Sequence, residues 1–151
     1  MEPRLRDLLG KHRRLGLDTS VLIYHFEDVP PYSSFTEALF CAAGRGEVEL
    51  LIPSLCVAEL LVKPWEAGEE KAKEALSLLL GLPSARFLPP GVEEAHAAAR
   101  LRARYGLRLP DALIMATVQA AGATALLTND REFLKVKEDL DIVLLDEWLL
   151  E

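Results

Sequence analysis

Four carboxylates in this chain stand at the edges of apolar runs, where a charge needs a partner. Asp18 closes Leu15-Gly16-Leu17; Glu59 sits inside Leu55-Cys56-Val57-Ala58-Glu59-Leu60-Leu61-Val62; Asp111 opens Ala112-Leu113-Ile114-Met115-Ala116; Asp130 follows Ala125-Leu126-Leu127-Thr128-Asn129. Each also has a local reading. Asp18 can cap a helix, Asp111 can complement a helix dipole after Pro110, and Asp130 can turn the chain after a strand. Glu59 is harder to place, because it lies mid-helix among seven apolar neighbours and calls for a salt bridge or a cation. If folding gathers all four, neighbours about 5 Å apart at an effective dielectric near 20 repel by roughly 3 kcal/mol per pair. The cluster must then bind a cation or take up protons. Oxygen-only donors, with none of His12, His25 and His96 patterned near them, suit a hard ion such as Mg²⁺ or Mn²⁺. Such an ion keeps several waters and recruits phosphate.

The elements that would position these acids follow from the apolar pattern. Residues 1–14, with Leu5, Leu8 and Leu9 on one side and Arg4, Arg6, Lys11, Arg13 and Arg14 around them, predict a short helix ahead of the main fold. Residues 15–18 read as a buried strand feeding a helix over 20–26. After Pro30-Pro31, Ser34 and Glu37 have capping-box spacing for a helix to about Ala43. A second strand over 48–52 leads into the Glu59 helix, which Pro64 is expected to stop; a further helix spans 66–80. A short strand at 86–88, helices over 92–105 and 111–121, a strand over 124–128, a helical turn at 131–135 and a strand over 142–145 complete the pattern. Short apolar strands alternating with amphipathic helices predict a three-layer α/β/α fold with a central parallel sheet of four to five strands. Ligands in such folds sit beyond the carboxyl ends of the strands, where Asp18 and Asp130 both fall.

At 151 residues the chain suits one globular domain, residues 15–151, behind an N-terminal extension over 1–14. Half of it is hydrophobic and 27% is charged, which argues against disorder. A net charge of -7 excludes nucleic-acid binding by overall attraction, though not at a local site. The N-terminus lacks the apolar core of a secretion signal and no 18-residue apolar span occurs, so a cytoplasmic protein is expected, with no membrane contact. Cys41 and Cys56 lack metal-ligand spacing and read as buried free thiols. One asparagine occurs in the chain, Asn129 beside Asp130, and it reads as a turn residue.

The stretch Arg104-Tyr105-Gly106-Leu107-Arg108-Leu109-Pro110-Asp111-Ala112, followed by Ala125-Leu126-Leu127-Thr128-Asn129-Asp130-Arg131-Glu132-Phe133, resembles the C-terminal half of PIN-domain ribonucleases, the VapC toxins in particular. Leu17-Asp18-Thr19-Ser20-Val21-Leu22-Ile23 and Val57-Ala58-Glu59-Leu60 are similar to the N-terminal half of the same family, so the likeness covers about residues 15–146. The resemblance implies an endoribonuclease in which Asp18, Glu59, Asp111 and Asp130 bind one or two Mg²⁺ or Mn²⁺ ions and a metal-activated water cuts RNA in line. It further implies orienting roles for Thr19, Ser20 and Thr128, a lesser ligand in Glu132, a cognate antitoxin and a homodimer. Glu132 stands where relatives more often carry aspartate, and the first strand starts well inside the chain.

Arg100, Arg102, Arg104 and Arg108 form a run of positive charge with no acid between Glu94 and Asp111. It reads as a solvated helix face or, for Arg100, Arg104 and Arg108, as a contact for RNA phosphate. Two other classes share the layout. A phosphotransfer receiver would carry acids just before Asp18, and a dehalogenase-type phosphatase an aspartate two residues after it; Gly16, Leu17 and Ser20 stand there instead. A PIN fold that only binds a partner is the remaining alternative.

Overall fold

The computed structural model describes residues 3–150. The chain runs α1 (Pro3–Lys11), β1 (Arg14–Leu17), α2 (Thr19–Phe26), α3 (Tyr32–Gly44), β2 (Glu49–Pro53), α4 (Ser54–Ala67), α5 (Glu69–Leu80), β3 (Ala85–Leu88), α6 (Val92–Tyr105), α7 (Leu109–Ala120) and β4 (Ala125–Thr128). A 3-10 helix (Arg131–Val136), β5 (Asp141–Leu144) and α8 (Leu145–Leu150) complete it. All five strands are parallel, in the order β3-β2-β1-β4-β5. The expected three-layer α/β/α arrangement is therefore present. Strands buried on both faces need apolar side chains throughout, and β4 is buried at every position, as is β1 from Leu15 to Leu17.

The sheet grows outward from β1 in two directions, to β2 and β3 on one side and later to β4 and β5 on the other. That reversal opens a crevice at the carboxyl ends of β1 and β4. Leu17 pairs with Leu127, which sets Asp18 beside Thr128 at the point where both strands end. The Asp18 N–H still donates to the Leu127 carbonyl at 3.0 Å. The leucines of α1 join the same core, with Leu5 and Leu8 fully covered. No helix among the described residues is long and apolar enough to cross a membrane.

Three local expectations are corrected. Ser34 and Glu37 do not form a capping box: α3 begins two residues earlier, at Tyr32 after Pro31, without any side-chain cap. Pro64 does not stop α4. It removes only its own donor, and one further turn follows until Gly68, at φ 135°, ends the helix with its N–H on the carbonyls of Pro64 and Trp65. Cys41 is exposed while Cys56 is buried, because α3 turns Leu39, Phe40, Ala42 and Ala43 inward and leaves position 41 on its outer face.

One close approach fixes the helix that carries Asp111. A Cβ built on Gly16 would lie 2.9 Å from Val118 Cβ and 3.0 Å from both of its methyls, so α7 packs on β1 at a distance only glycine permits. Overpacking a core contact of this kind costs about 1–3 kcal/mol. Gly16→Ala is expected to destabilise the protein by that amount in urea unfolding. Val118→Ala in the same chain should recover part of the loss, so the double-mutant cycle should show favourable coupling; strictly additive effects would mean that the contact does not hold α7 in place.

Candidate functional site

Asp18 is the first residue past β1 and caps α2, its Oδ1 accepting from the Thr19 N–H at 2.7 Å. Its Oδ2 accepts from the Thr128 hydroxyl at 2.7 Å and, at 3.5 Å, from the Ser20 hydroxyl. Thr128 Oγ1 accepts in turn from the Asp130 N–H at 3.0 Å, so one fully buried hydroxyl ties the ends of the two central strands together. Asp130 Oδ1 accepts from the Glu132 N–H at 2.9 Å and caps the 3-10 helix. The helix-capping role read for Asp18 is real, and Asp130 caps the 3-10 helix rather than simply turning the chain.

Glu59 reaches the site from α4, with Thr19 Oγ1 donating to its Oε1 at 2.9 Å. The expectation that it sits among packed apolar groups is corrected. Only Cys56 and Leu61 of α4 are buried; Glu59 is exposed, and Leu60 and Val62 beside it line an open groove. Asp111 lies in the first turn of α7 and is buried at 6% exposure. Arg108, three residues earlier, donates to its Oδ2 from Nε at 3.1 Å, and its Nη2 stands 3.1 Å from the same oxygen in an ion pair. The same Nη2 is 3.9 Å from Asp130 Oδ2.

The electrostatics record the crowding. Burial pushes the Asp18 carboxyl up to about 6, the hydrogen bonds from Thr128 and Thr19 pull the other way, and the charges of Asp111 and Glu59 add to the rise. Burial also raises Asp111, opposed by Arg108 and reinforced by Asp130 and Glu59. Both outcomes expected of gathered carboxylates thus occur: proton affinity rises at Asp18, and a cation, Arg108, stands between Asp111 and Asp130. Among the described residues no three carboxylate, histidine or cysteine side chains form a ready-made metal cage. The donor chemistry nevertheless fits a hard divalent ion, being all oxygen, partly buried and already holding positive charge at one end.

Other predicted residues fall into place around this core. Glu132 turns its carboxylate to Lys135 Nζ at 2.7 Å, which holds its pKa below the ordinary range. Arg100 and Arg104 lie exposed on α6, with Arg104 over the Tyr105 ring at 5.2 Å. Ser20, besides its contact with Asp18, accepts from the Asn129 N–H at 3.2 Å. Asn129 does more than turn the chain. Its Nδ2 donates to the Tyr24 hydroxyl at 2.9 Å and its Oδ1 accepts from the Asp146 N–H at 3.0 Å. Tyr24 stacks on Tyr32, whose hydroxyl donates to Asp146. This polar brace clamps α2, α3 and α8 onto the end of β4. Its one advance sign was the lone asparagine beside an acid; Tyr24, Tyr32 and Asp146 are spread too far along the chain to be read together.

The raised Asp18 value has a definite sign. The folded chain holds that proton more tightly than the unfolded chain, so Asp18 favours folding most below pH 3.8 and loses this advantage as pH rises to about 6. The difference corresponds to about 3 kcal/mol. In metal-free protein, the stability of wild type relative to Asp18→Asn should fall by about that much between pH 4 and pH 7 and stay flat above. Urea unfolding at a series of pH values measures it, and a pH-independent difference would show that Asp18 is not held in this strained ionisation.

Comparison with known proteins agrees with this architecture. The family model for the PIN domain matches residues 16–139. No curated protein sequence matches significantly. Among solved structures, a chain of VapBC2 from Rickettsia felis, bound to a DNA fragment from its promoter, superposes with a TM-score of 0.68 at 20% identity, covering 86% of this chain and 97% of that one. VapBC from Salmonella typhimurium, also bound to DNA, gives 0.66 at 18% identity, with 86% and 96% covered. VapC20 of Mycobacterium tuberculosis, a toxin that cleaves the sarcin-ricin loop, gives 0.58 at 15% identity, with 74% and 86% covered. At these identities the structural likeness is one of fold, while the sequence match spans most of the chain and includes Asp18, Glu59, Asp111 and Asp130: the protein belongs to the PIN domain family.

Proposed function

We propose that this protein is a metal-dependent endoribonuclease, acting in the cytoplasm as the toxin of a toxin–antitoxin pair and assembling as a homodimer. The observation that carries the reading is the Asp18 carboxylate, buried at the meeting of β1 and β4 and raised to about 6 beside Asp111 and Glu59. Buried acids of that kind at the carboxyl edge of a parallel sheet are set to hold a cation. Asp18, Glu59, Asp111 and Asp130 would hold one or two Mg²⁺ or Mn²⁺ ions, with Glu132 at the margin. Bound there, the metal supplies an activated water and neutralises charge on the scissile phosphate. Thr128, Thr19 and Ser20 fix the directions of the Asp18 and Glu59 oxygens through the hydrogen bonds described above. Arg100, Arg104 and Arg108 would form the cationic rim that draws RNA phosphate to an otherwise acidic protein.

The antitoxin part of the reading is supported by the VapBC complexes among the structural neighbours and by a surface feature of this chain. An apolar groove of about 760 Å³ lies along α2, α4 and α5, lined by Phe26, Leu60, Val62 and Leu78, with Glu59 at the site end. Val62 and Leu78 are each more than half exposed, an unusual cost for a surface without a partner. A partner segment seated in that groove would end against the acids and block them.

Cleavage of RNA should require Mg²⁺ or Mn²⁺ and stop with chelator. Asp18→Asn and Asp111→Asn should each lower the rate by more than about 100-fold, and Thr128→Val by about 10–100-fold, the usual cost of losing a group that orients a metal ligand. Equal cleavage by wild type and the two asparagine variants would remove the assignment, and absence of cleavage by folded wild type with either metal would favour the partner-binding alternative. Leu78→Asp should keep cleavage intact and abolish inhibition by a cognate antitoxin; retained inhibition would place the partner elsewhere.

A further inference from the structure

The two halves of the acidic site are satisfied by different means. Asp18 and Glu59 receive hydroxyl and backbone donors from Thr128, Thr19 and Ser20. Asp111 and Asp130 share the guanidinium of Arg108. Other cations near this end of the molecule are engaged elsewhere: Lys135 with Glu132 at 2.7 Å, Arg131 with Glu147 at 3.2 Å, and Lys63 with Glu27 at 3.8 Å. Among the described residues, the ion pairs made by the four acids all come from Arg108.

Backbone geometry explains why the guanidinium arrives there. Arg108 is the residue before α7, extended at φ -63° and ψ 147°, and Asp111 lies in the helix's first turn, so the side chain folds along that turn to its i+3 neighbour. Both Nε and Nη2 fall on one oxygen, Asp111 Oδ2, leaving Nη2 to face Asp130. The Arg108 side chain is 67% exposed while Asp111 is 9% exposed. The carboxylate is fixed in the protein, and the cation over it is on the solvent side with an open route outward.

We propose that Arg108 is a built-in counter-cation that occupies the divalent-ion position between Asp111 and Asp130, so that metal enters only as the guanidinium swings away. The inference rests on the metal-binding reading of the four acids. It adds that loading is a competition within the chain. A divalent ion taking Asp111 Oδ2 would stand against a guanidinium bonded to the same atom, like charge to like charge, and both cannot keep that oxygen. In the metal-free protein Arg108 relieves the repulsion between Asp111 and Asp130 and keeps their carboxylates ready; in the loaded protein it is released to the lip of the site.

Direct Mn²⁺ binding, followed by the loss of the free-ion electron paramagnetic resonance signal, tests this without any assay of cleavage. Arg108→Ala should bind Mn²⁺ about tenfold tighter or more than wild type, the strength with which a charge a few ångströms away acts on a carboxylate. Arg108→Lys, which keeps the charge without the fork, should fall between them. Arg86→Ala, which removes the same charge from β3 where it pairs with Glu49 of β2, controls for net charge and should leave the affinity near that of wild type. The rise in unfolding temperature on adding Mn²⁺ should be larger for Arg108→Ala than for wild type, with far-UV circular dichroism confirming that the variant is folded. Equal Mn²⁺ affinity in wild type and Arg108→Ala, or equal tightening by Arg86→Ala, overturns the competition and leaves the metal site standing. Failure of both wild type and Arg108→Ala to bind Mn²⁺ overturns the metal reading and the inference with it.

Discussion

The hydrogen bond from Thr128 to Asp18 Oδ2, 2.7 Å long and closed to solvent, joins the ends of the two central strands, and the site is organised around it. It exists because β1 and β4, separated by more than a hundred residues, pair in parallel with Leu17 opposite Leu127. A one-residue slip would carry Asp18 to the other face of the sheet. Register is protected by the apolar character of both strands and by Gly16, which lets α7 settle on β1 and brings Asp111 to the same crevice. The core thus fixes the place of charges that, by themselves, would separate.

How those charges are tolerated follows from where each one sits. Asp18 is buried and has no ion pair with any described residue, so its burial appears as a raised proton affinity. Asp111 is equally covered, but the guanidinium of Arg108 lies over it and offsets part of the same penalty. Asp130 and Glu59 remain in contact with water and contribute mainly through repulsion of the other two. Each half of the site therefore pairs one buried acid with one open to water: Asp18 with Glu59 under hydroxyl donors, Asp111 with Asp130 under the guanidinium. On the proposed metal reading, exchange of cations would begin at Arg108, whose side chain is 67% exposed.

Much of this arrangement was legible in the residues. Apolar runs ending in an acid marked Asp18 and Asp130 as strand-end carboxylates, since a parallel strand buried on both faces has no other place for a charge. Glu59 misled because seven apolar neighbours in sequence are not seven in space: α4 buries Cys56 and Leu61, packs Leu55 and Val57 partly against the core, and leaves Leu60 and Val62 on a groove. Pro64 misled because its missing donor costs one hydrogen bond, and packing of α4 on α5 sustains another turn. The bridging by Arg108 was hidden for another reason. A run of arginines identifies positive charge, but only the extended backbone before α7 turns one of them back onto Asp111. Asn129 likewise needed α2, α3 and α8 in place before its side chain had partners.

The brace around Asn129 bears on how a site without a ready-made cage can still be specific. Asp18, Thr128 and Asp130 are linked through one hydroxyl, and the next residue along, Asn129, is held by Ser20, Tyr24 and the backbone of Asp146. Three helices thereby restrain the short segment that carries Asp130, although the carboxylate itself is partly open to solvent. Asp111 is restrained through α7 and Gly16. The segments bearing Asp18, Asp111 and Asp130 are thus tied to the sheet and its helices, whereas the Arg108 side chain is largely exposed. On the proposed metal reading, loading a divalent ion would call for rotation of a few side chains rather than movement of the sheet, which would keep the ordering cost small. The groups that hold the strand ends together are hydroxyls and amides, so an exchange of positive charge among the carboxylates above them would leave the core beneath intact.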